Sequence, residues 1–223
     1  MSNDLAARLG RLGRLDSCAV SDALDKLGLT GEVSGIHRFS TERRIAGRVL
    51  TVKLDRAEGR SNTRHLCTTA IEAAQPGDII VIEQRTGLDA ASWGGNLSIG
   101  AKVRGVAGVI IDGPARDIDD SRKLDFTVFA REHTARTARG RIVEVATNEP
   151  VQVGDVTVSP GDYAIADASA VVFVAASEIE RVLQTAEQIM AREEALAQAI
   201  AAGAPISQVM GANYEHMLKK HNS

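Results

Sequence analysis

The stretch from Trp93 to Asp120, WGGNLSIGAKVRGVAGVIIDGPARDIDD, gathers groups that can hold a small carboxylic acid beside a hard metal ion. Gly94 and Gly95 stand directly before NLSIGAKVR, which reads as an amphipathic helix. The first turn of a helix leaves backbone N–H groups without partners and carries partial positive charge, so it can receive a carboxylate. Glycine lets such a ligand approach the backbone closely. Val106 to Gly113, VAGVIIDG, is a short apolar run closed by Asp-Gly, which reads as a buried strand feeding a tight turn. In open α/β sheets ligands collect beyond the carboxyl ends of the strands, and Arg116 and Asp117 fall there. A guanidinium grips a carboxylate through a two-pronged hydrogen bond and stays charged at any working pH. Asp117 can lend an oxygen to Mg²⁺, an ion that takes one or two protein carboxylates and keeps several waters. A lyase is the leading functional expectation.

Plainer readings stand beside these. The two glycines can simply make the turn between Trp93 and the helix. Asp117 can cap a helix beginning IDDSRKL, with Arg116 paired to it on the surface. Other candidates are poorer. His65 and Cys67 lie on one expected helix, two residues apart, which points them to different faces. His37, His133, His216 and His221 have no metal-ligand spacing. The arginine-rich segment His133 to Arg141 can bind an anion, although a solvated loop is the stronger reading. There is no GxGxxG after a strand, no Walker loop and no GxSxG elbow.

The elements that must position these groups follow from periodicity. Leu5, Leu9 and Leu12 share a helical face, and Val20, Ala23, Leu24 and Leu27 form a second helix stopped by Gly28 and capped by Ser17 or Ser21. Ile45 to Leu54 reads as a strand and Asn62 to Ala74 as a helix. Pro76-Gly77-Asp78 precedes IIVIE, and Pro160-Gly161-Asp162 precedes YAIAD; each triplet turns the chain sharply into a strand. Thr127 to Ala130, Arg141 to Val145, Thr157-Val158, Tyr163 to Ala166 and Val171 to Ala175 are further short strands. Ser177 to Ala202 is a long helix ended by Gly203 and Pro205, and Ser207 to Leu218 a last amphipathic piece. No Ser/Gly-rich linker divides the chain, so one α/β domain over residues 1–223 is expected, with a C-terminal helical extension from about 177 to 223.

A chain of 223 residues can remove roughly 70–75% of its unfolded surface from water, enough for a core without staples. Aromatics are only 3% of residues, so that core must rest on Val, Ile, Leu and Ala, which suits tight helix–sheet packing. The formal net charge of −3 argues against a nucleic-acid or anionic-membrane surface. No apolar run approaches a membrane span. With two cysteines, Cys18 and Cys67, and an opening MSNDLAARLGR unlike a signal peptide, a reducing cytoplasm is expected, with both thiols free.

The segments VSDALDKLG (Val20 to Gly28), PGDIIVI, WGGNLSIGAKVRGVAGVIIDGPARD, FTVFARE and VSPGDYAIAD together resemble the RraA-like family. That family includes class II pyruvate aldolases acting on 4-hydroxy-4-methyl-2-oxoglutarate and 4-carboxy-4-hydroxy-2-oxoadipate. The resemblance implies a swivelling β/β/α domain with amphipathic helices at both termini, assembled into homotrimers or homohexamers with sites between subunits. It implies that Arg116 binds pyruvate carboxylate and enolate oxygens, that Asp117 ligates the divalent metal (Mg²⁺ first, Mn²⁺ second), and that the amides of Gly94, Gly95, Asn96 and Leu97 hold the pyruvyl group.

The implied activity is cleavage of a small 4-hydroxy-2-oxo acid to pyruvate, with oxaloacetate decarboxylation through the same enolate. The alternatives are a non-catalytic regulator of ribonuclease E, as some RraA proteins are, or a related lyase on a different hydroxy acid. Asp117 favours chemistry, since such regulators typically lack that aspartate. One departure concerns the water network. Family aldolases usually carry an aspartate twenty-one positions before the arginine, and here Gly95 stands there. Asp89, Glu83, or Glu32 or Glu193 from a neighbouring subunit, are the candidate substitutes. DASAVVFV, from Asp167 to Val174, likewise replaces the family's acidic-glycine pattern.

Overall fold

Residues 3–60 and 64–211 are described by a computed structural model of the chain. It opens with α1 (Asn3–Leu12) and α2 (Ser17–Leu27). Gly28 ends α2 in the left-handed region, at φ 69°. The cap of α2 is Asp16, whose side chain accepts the Ala19 N–H at 2.7 Å, and neither Ser17 nor Ser21 takes that role. Ser17 is committed elsewhere: its N–H and hydroxyl reach the Asp167 carboxylate at 2.8 and 2.7 Å.

Two short strands absent from the sequence expectation, β1 (Glu32–Val33) and β2 (His37–Arg38), lead to the long β3 (Ile45–Arg56). Next come α3 (Thr68–Ala73), β4 (Ile79–Glu83), α4 (Gly95–Val103), β5 (Gly108–Ala115), α5 (Ile118–Lys123) and β6 (Thr127–His133). β3, β4, β5 and β6 pair in parallel, each joined to the next through a helix. α3 is shorter than the expected Asn62–Ala74. Cys67 sits in the left-handed region at φ 65° and its N–H is held by Glu144 at 2.6 Å, so helix begins only at Thr68. Asn62 itself lies outside the described residues.

The chain continues through β7 (Ile142–Thr147), a hairpin of β8 (Val151–Val153) and β9 (Val156–Val158), then β10 (Tyr163–Ala166) and β11 (Val171–Val174). It closes with α6 (Ile179–Ala201) and the short α7 (Ile206–Val209). The end of the expected last helix, 212–218, and His216 and His221 lie outside the described residues. The main sheet runs β1-β11-β10-β3-β4-β5-β6-β2. Along one edge of β3, β10 pairs with Ile45 to Arg48 and β7 with Val52 to Arg56, the latter ladder carrying a bulge at Lys53/Leu54. Such a bulge adds twist, and the sheet curls.

Both Pro-Gly-Asp turns work alike. Gly77 and Gly161 hold φ of 88° and 93°, and each aspartate accepts an N–H three residues upstream, Asp78 from Gln75 and Asp162 from Ser159, both at 2.8 Å. Alternating residues of the central strands feed two faces. Leu50, Val52, Ile80, Ile82, Val109 and Ile111 pack under α3, α4 and α5 with Trp93 and Phe126. Val49, Ile79, Val81, Ile110 and Phe129 pack against the β8–β9 hairpin. A third cluster ties α1, α2 and α6 to β10 and β11. β4 and β5 are buried at every position, as befits parallel strands covered on both sides. Among the described residues no helix is long and apolar enough to cross a membrane.

Candidate active site

The site is built where β5 outruns β4. Pairing between them stops at Glu83 and Asp112, and there Gly113 admits Gln84, whose Oε1 lies 2.6 Å from where a β-carbon would sit. Asp112-Gly113 is therefore no turn. β5 runs on to Ala115, flanked by Ser92-Trp93 on one side and the end of β6 on the other. Ser92 N–H donates to Pro114 O, Arg116 N–H to Trp93 O and Thr134 N–H to Ala115 O, at 3.0, 3.0 and 2.9 Å. Arg116 thus leaves a backbone pinned from both sides.

Ser98 fixes the start of α4 against this strand end. Its hydroxyl accepts from Trp93 Nε1 at 2.9 Å, donates to Gly94 O at 3.3 Å and meets Ser121 Oγ at 2.9 Å. One donor and two acceptor sites are then all used. Trp93 also stacks on Phe126, with centroids 6.0 Å apart.

Asp117 takes the left-handed region at φ 57°, an uncommon conformation that aspartate tolerates better than most residues. It stands at the cap position of α5, but its side chain makes no cap hydrogen bond. Oδ2 instead accepts the Gly95 N–H at 3.0 Å and lies 3.3 Å from Arg116 Nε. Among the described residues Oδ1 takes no hydrogen bond or ion pair. Gly94 is required by contact rather than by φ: a β-carbon there would sit 2.8 Å from Asp117 Oδ2 and 3.3 Å from Arg116 Nε. The Gly95 amide is spent on Asp117, which leaves the N–H groups of Asn96 and Leu97 as the donors of the first helical turn that are open among the described residues.

These groups face one cavity of about 380 Å³, lined by all six residues singled out from sequence: Gly94, Gly95, Asn96, Leu97, Arg116 and Asp117. His65, Ser92, Asp120 and Lys123 join them, none of which sequence reasoning had assigned to the site. The His65 ring is tied through Nδ1 to Leu66 O at 3.1 Å. A second cavity, lined by Phe39, Arg122, His133 and Thr134, opens on the other side of the Arg116–Asp117 pair.

Of the substitutes considered for the family's extra aspartate, Asp89 and Glu83 of the same chain do not line the first cavity. Asp89 pairs with Arg136 at 3.2 Å, and Glu83 accepts the Gln152 N–H at 2.8 Å. Glu32 and Glu193, the glutamates expected from a neighbouring subunit, sit on β1 and α6. His133 lies edge-on to Phe39, and the Cys67 thiol is fully buried, which pushes its pKa up.

The donor set fits a hard divalent ion. Asp117 and Asp120 both bring carboxylate oxygens to the same cavity, and among the described residues no group of three His, Cys, Asp or Glu could hold a metal by itself. One or two carboxylates with the remaining positions left to water is what Mg²⁺ prefers.

The family model described as Aldolase/RraA matches residues 17–173. A Halalkalibacterium halodurans protein named "Putative 4-hydroxy-4-methyl-2-oxoglutarate aldolase" is 33% identical over 83% of this chain and 85% of its own. Protein DlpA of Legionella pneumophila is 26% identical over 93% of this chain, which spans about a third (34%) of that longer relative. Among solved structures, an uncharacterized protein from Pseudomonas syringae superposes with a TM-score of 0.84 at 27% identity, over 92% of this chain and 98% of that one. Streptomyces coelicolor RraAS2, described as an unusual member of the RNase ES inhibitor RraA protein family, gives 0.78 at 24% identity, over 86% and 96%. That last likeness speaks to the fold alone.

Proposed function

The chain belongs to the RraA-like family, and from that premise we propose that it is a divalent-metal-dependent carbon–carbon lyase releasing pyruvate from a small 4-hydroxy-2-oxo acid. The observation that carries this reading is the convergence of Arg116, Asp117 and the open amides of α4 on one cavity. Arg116 takes the substrate's carboxylate and its C2 oxygen through its guanidinium fork. The N–H groups of Asn96 and Leu97 hold the same end from the other side. Loss of the C4 hydroxyl proton lets the C3–C4 bond break, and its electron pair moves onto C3, C2 and the C2 oxygen as an enolate. Fixed donors aimed at that oxygen stabilise the charge as it grows, in a site partly shielded from water. Protonation at C3 then yields pyruvate.

Asp117 would hold the metal ion, with Mg²⁺ the first choice and Mn²⁺ the second. When bound, that ion supplies Lewis-acid stabilisation of the enolate. The same enolate arises when oxaloacetate loses CO₂, so one pocket serves both reactions. A regulator of an RNA-degrading endonuclease needs neither the open Asp117 oxygen nor the open amides.

Assembly into a homotrimer or homohexamer is part of the proposal. Ile99 (49% exposed) and Val103 (81% exposed) stand one turn apart on α4 beside the cavity, an apolar strip that a second copy would cover.

The test is release of pyruvate, followed through a coupled dehydrogenase, from oxaloacetate and from 4-hydroxy-2-oxo acids with Mg²⁺ or Mn²⁺. Turnover should vanish with EDTA. Arg116→Ala should lower it by about 100-fold or more while leaving the melting temperature nearly unchanged. Absence of turnover across the panel would overturn the enzyme reading, and full activity in Arg116→Ala would overturn the role given to the arginine.

A further inference from the structure

Asp119 and Asp120 both lie in the first turn of α5, where acidic side chains are commonplace. Their surroundings differ. Asp119 is 82% exposed and pairs with Arg122 at 2.9 Å. Asp120 lines both cavities, and its Oδ2 lies 3.4 Å from the point where a β-carbon on residue 95 would sit. The β-carbons of Asp117 and Asp120 are each 3.5 Å from that same point, so the two carboxylates flank Gly95 together.

Each has one oxygen engaged and one open among the described residues. Asp117 Oδ2 holds the Gly95 N–H and Arg116, and its Oδ1 is open. Asp120 Oδ1 meets Lys123 at 3.4 Å, and its Oδ2 is open. The Lys123 contact joins two largely exposed side chains and is easily given up. Charge points the same way. Arg116 already offsets part of the charge on Asp117, so a divalent cation held by Asp117 alone would be under-neutralised. A second carboxylate on the same wall corrects this.

Resting on the reading of this cavity as a cation-assisted lyase site, we propose that Asp120 is its second acidic group, accepting hydrogen bonds through Oδ2 from the hydration shell of a divalent cation held by Asp117. Gly95 is what admits it. A β-carbon at 95 would already touch Asp120 at 3.4 Å, and a longer side chain would compete for the space its carboxylate uses. Conversely, an aspartate grafted at 95 would bring a carboxylate into that space if Asp120 were shortened. The backbone at 95 is helical, so the graft is conformationally permitted.

The experiment is calorimetric titration of Mn²⁺ into the full chain, with circular dichroism to confirm folding. Asp120→Asn should weaken Mn²⁺ binding by roughly 10–100-fold, the usual effect of removing an outer-shell partner, and Asp119→Asn should not. Gly95→Asp combined with Asp120→Ala should regain most of what Asp120→Ala loses. Mn²⁺ affinity unchanged in Asp120→Asn while Asp117→Asn abolishes binding would overturn this inference and leave the lyase reading standing. A double variant no better than Asp120→Ala would also overturn it. Failure of the wild-type protein to bind Mn²⁺ would overturn both.

Discussion

Gly94 and Gly95 are adjacent glycines with unequal demands. A β-carbon at 94 would strike Asp117 Oδ2 at 2.8 Å, against a nearest approach of 3.4 Å at 95. Gly94 holds an extended φ of −155°, so alanine there strains no backbone and acts only by displacing the carboxylate and the guanidinium. Gly94→Ala is therefore expected to cut kcat/KM by about 100-fold, the cost of misplacing a reacting group by an ångström, with little change in unfolding midpoint. Gly95→Ala should be much milder. Steady-state kinetics on the two variants decide this, and equal losses would mean that the contact at 94 is relieved by side-chain movement. Asp117 shows the limits of local chemistry. An aspartate before IDDSRKL has the look of a helix cap, yet its positive φ turns the carboxylate to Gly95 instead.

Ser98 is the joint between α4, α5 and the end of β5. Ser98→Ala would leave Trp93 Nε1 and the Ser121 hydroxyl buried without this partner, a loss of about 1–3 kcal/mol. Urea unfolding should show a lower midpoint at unchanged slope, and an unchanged midpoint would mean that water or a neighbour replaces the hydroxyl. Elements with strong patterns were legible in the sequence: the apolar runs of β4 and β5, the turn triplets before β4 and β10, and the amphipathic α6. The two-residue strands β1 and β2 carry too few residues to show a period. β8 was missed, and the start of α3 was placed too early because it depends on a distant partner, Glu144 holding Cys67. Asp112-Gly113 has turn chemistry, but its conformation is set by Gln84 packing over Gly113. In the site, Arg116, Asp117 and the α4 amides were legible because they are close in sequence. His65 comes from a distant segment, and Asp120 was hidden among ordinary first-turn acids.

At the scale of the molecule, the helical layer is fastened to the sheet and to itself through carboxylates. Asp167 is pushed up by burial, yet hydrogen bonds from the Ser17 hydroxyl and from the backbone N–H groups of Ser17 and Ser169 outweigh this and hold it below the usual range. Hydrogen bonds from Arg11 lower Glu187, and those from Arg8 and Arg11 lower Glu180, which joins α1 to α6. A carboxylate with a depressed folded pKa adds stability above its unfolded value, near 4, and loses it as pH falls through the folded one. The melting temperature should therefore fall as pH drops below about 4, and Ser17→Ala, which frees Asp167 from one of its donors, should flatten that fall. Melting curves between pH 7 and pH 3 test this, and parallel curves for the two proteins would refute it. Trp93 is also a built-in reporter. It is the chain's sole indole, stacked on Phe126 with its ring nitrogen bound to Ser98, and it lines the cavity wall. The protein thus carries a single indole, stationed where a substrate would dock, so its selectively excited emission reports on pocket occupancy and on unfolding without any added label.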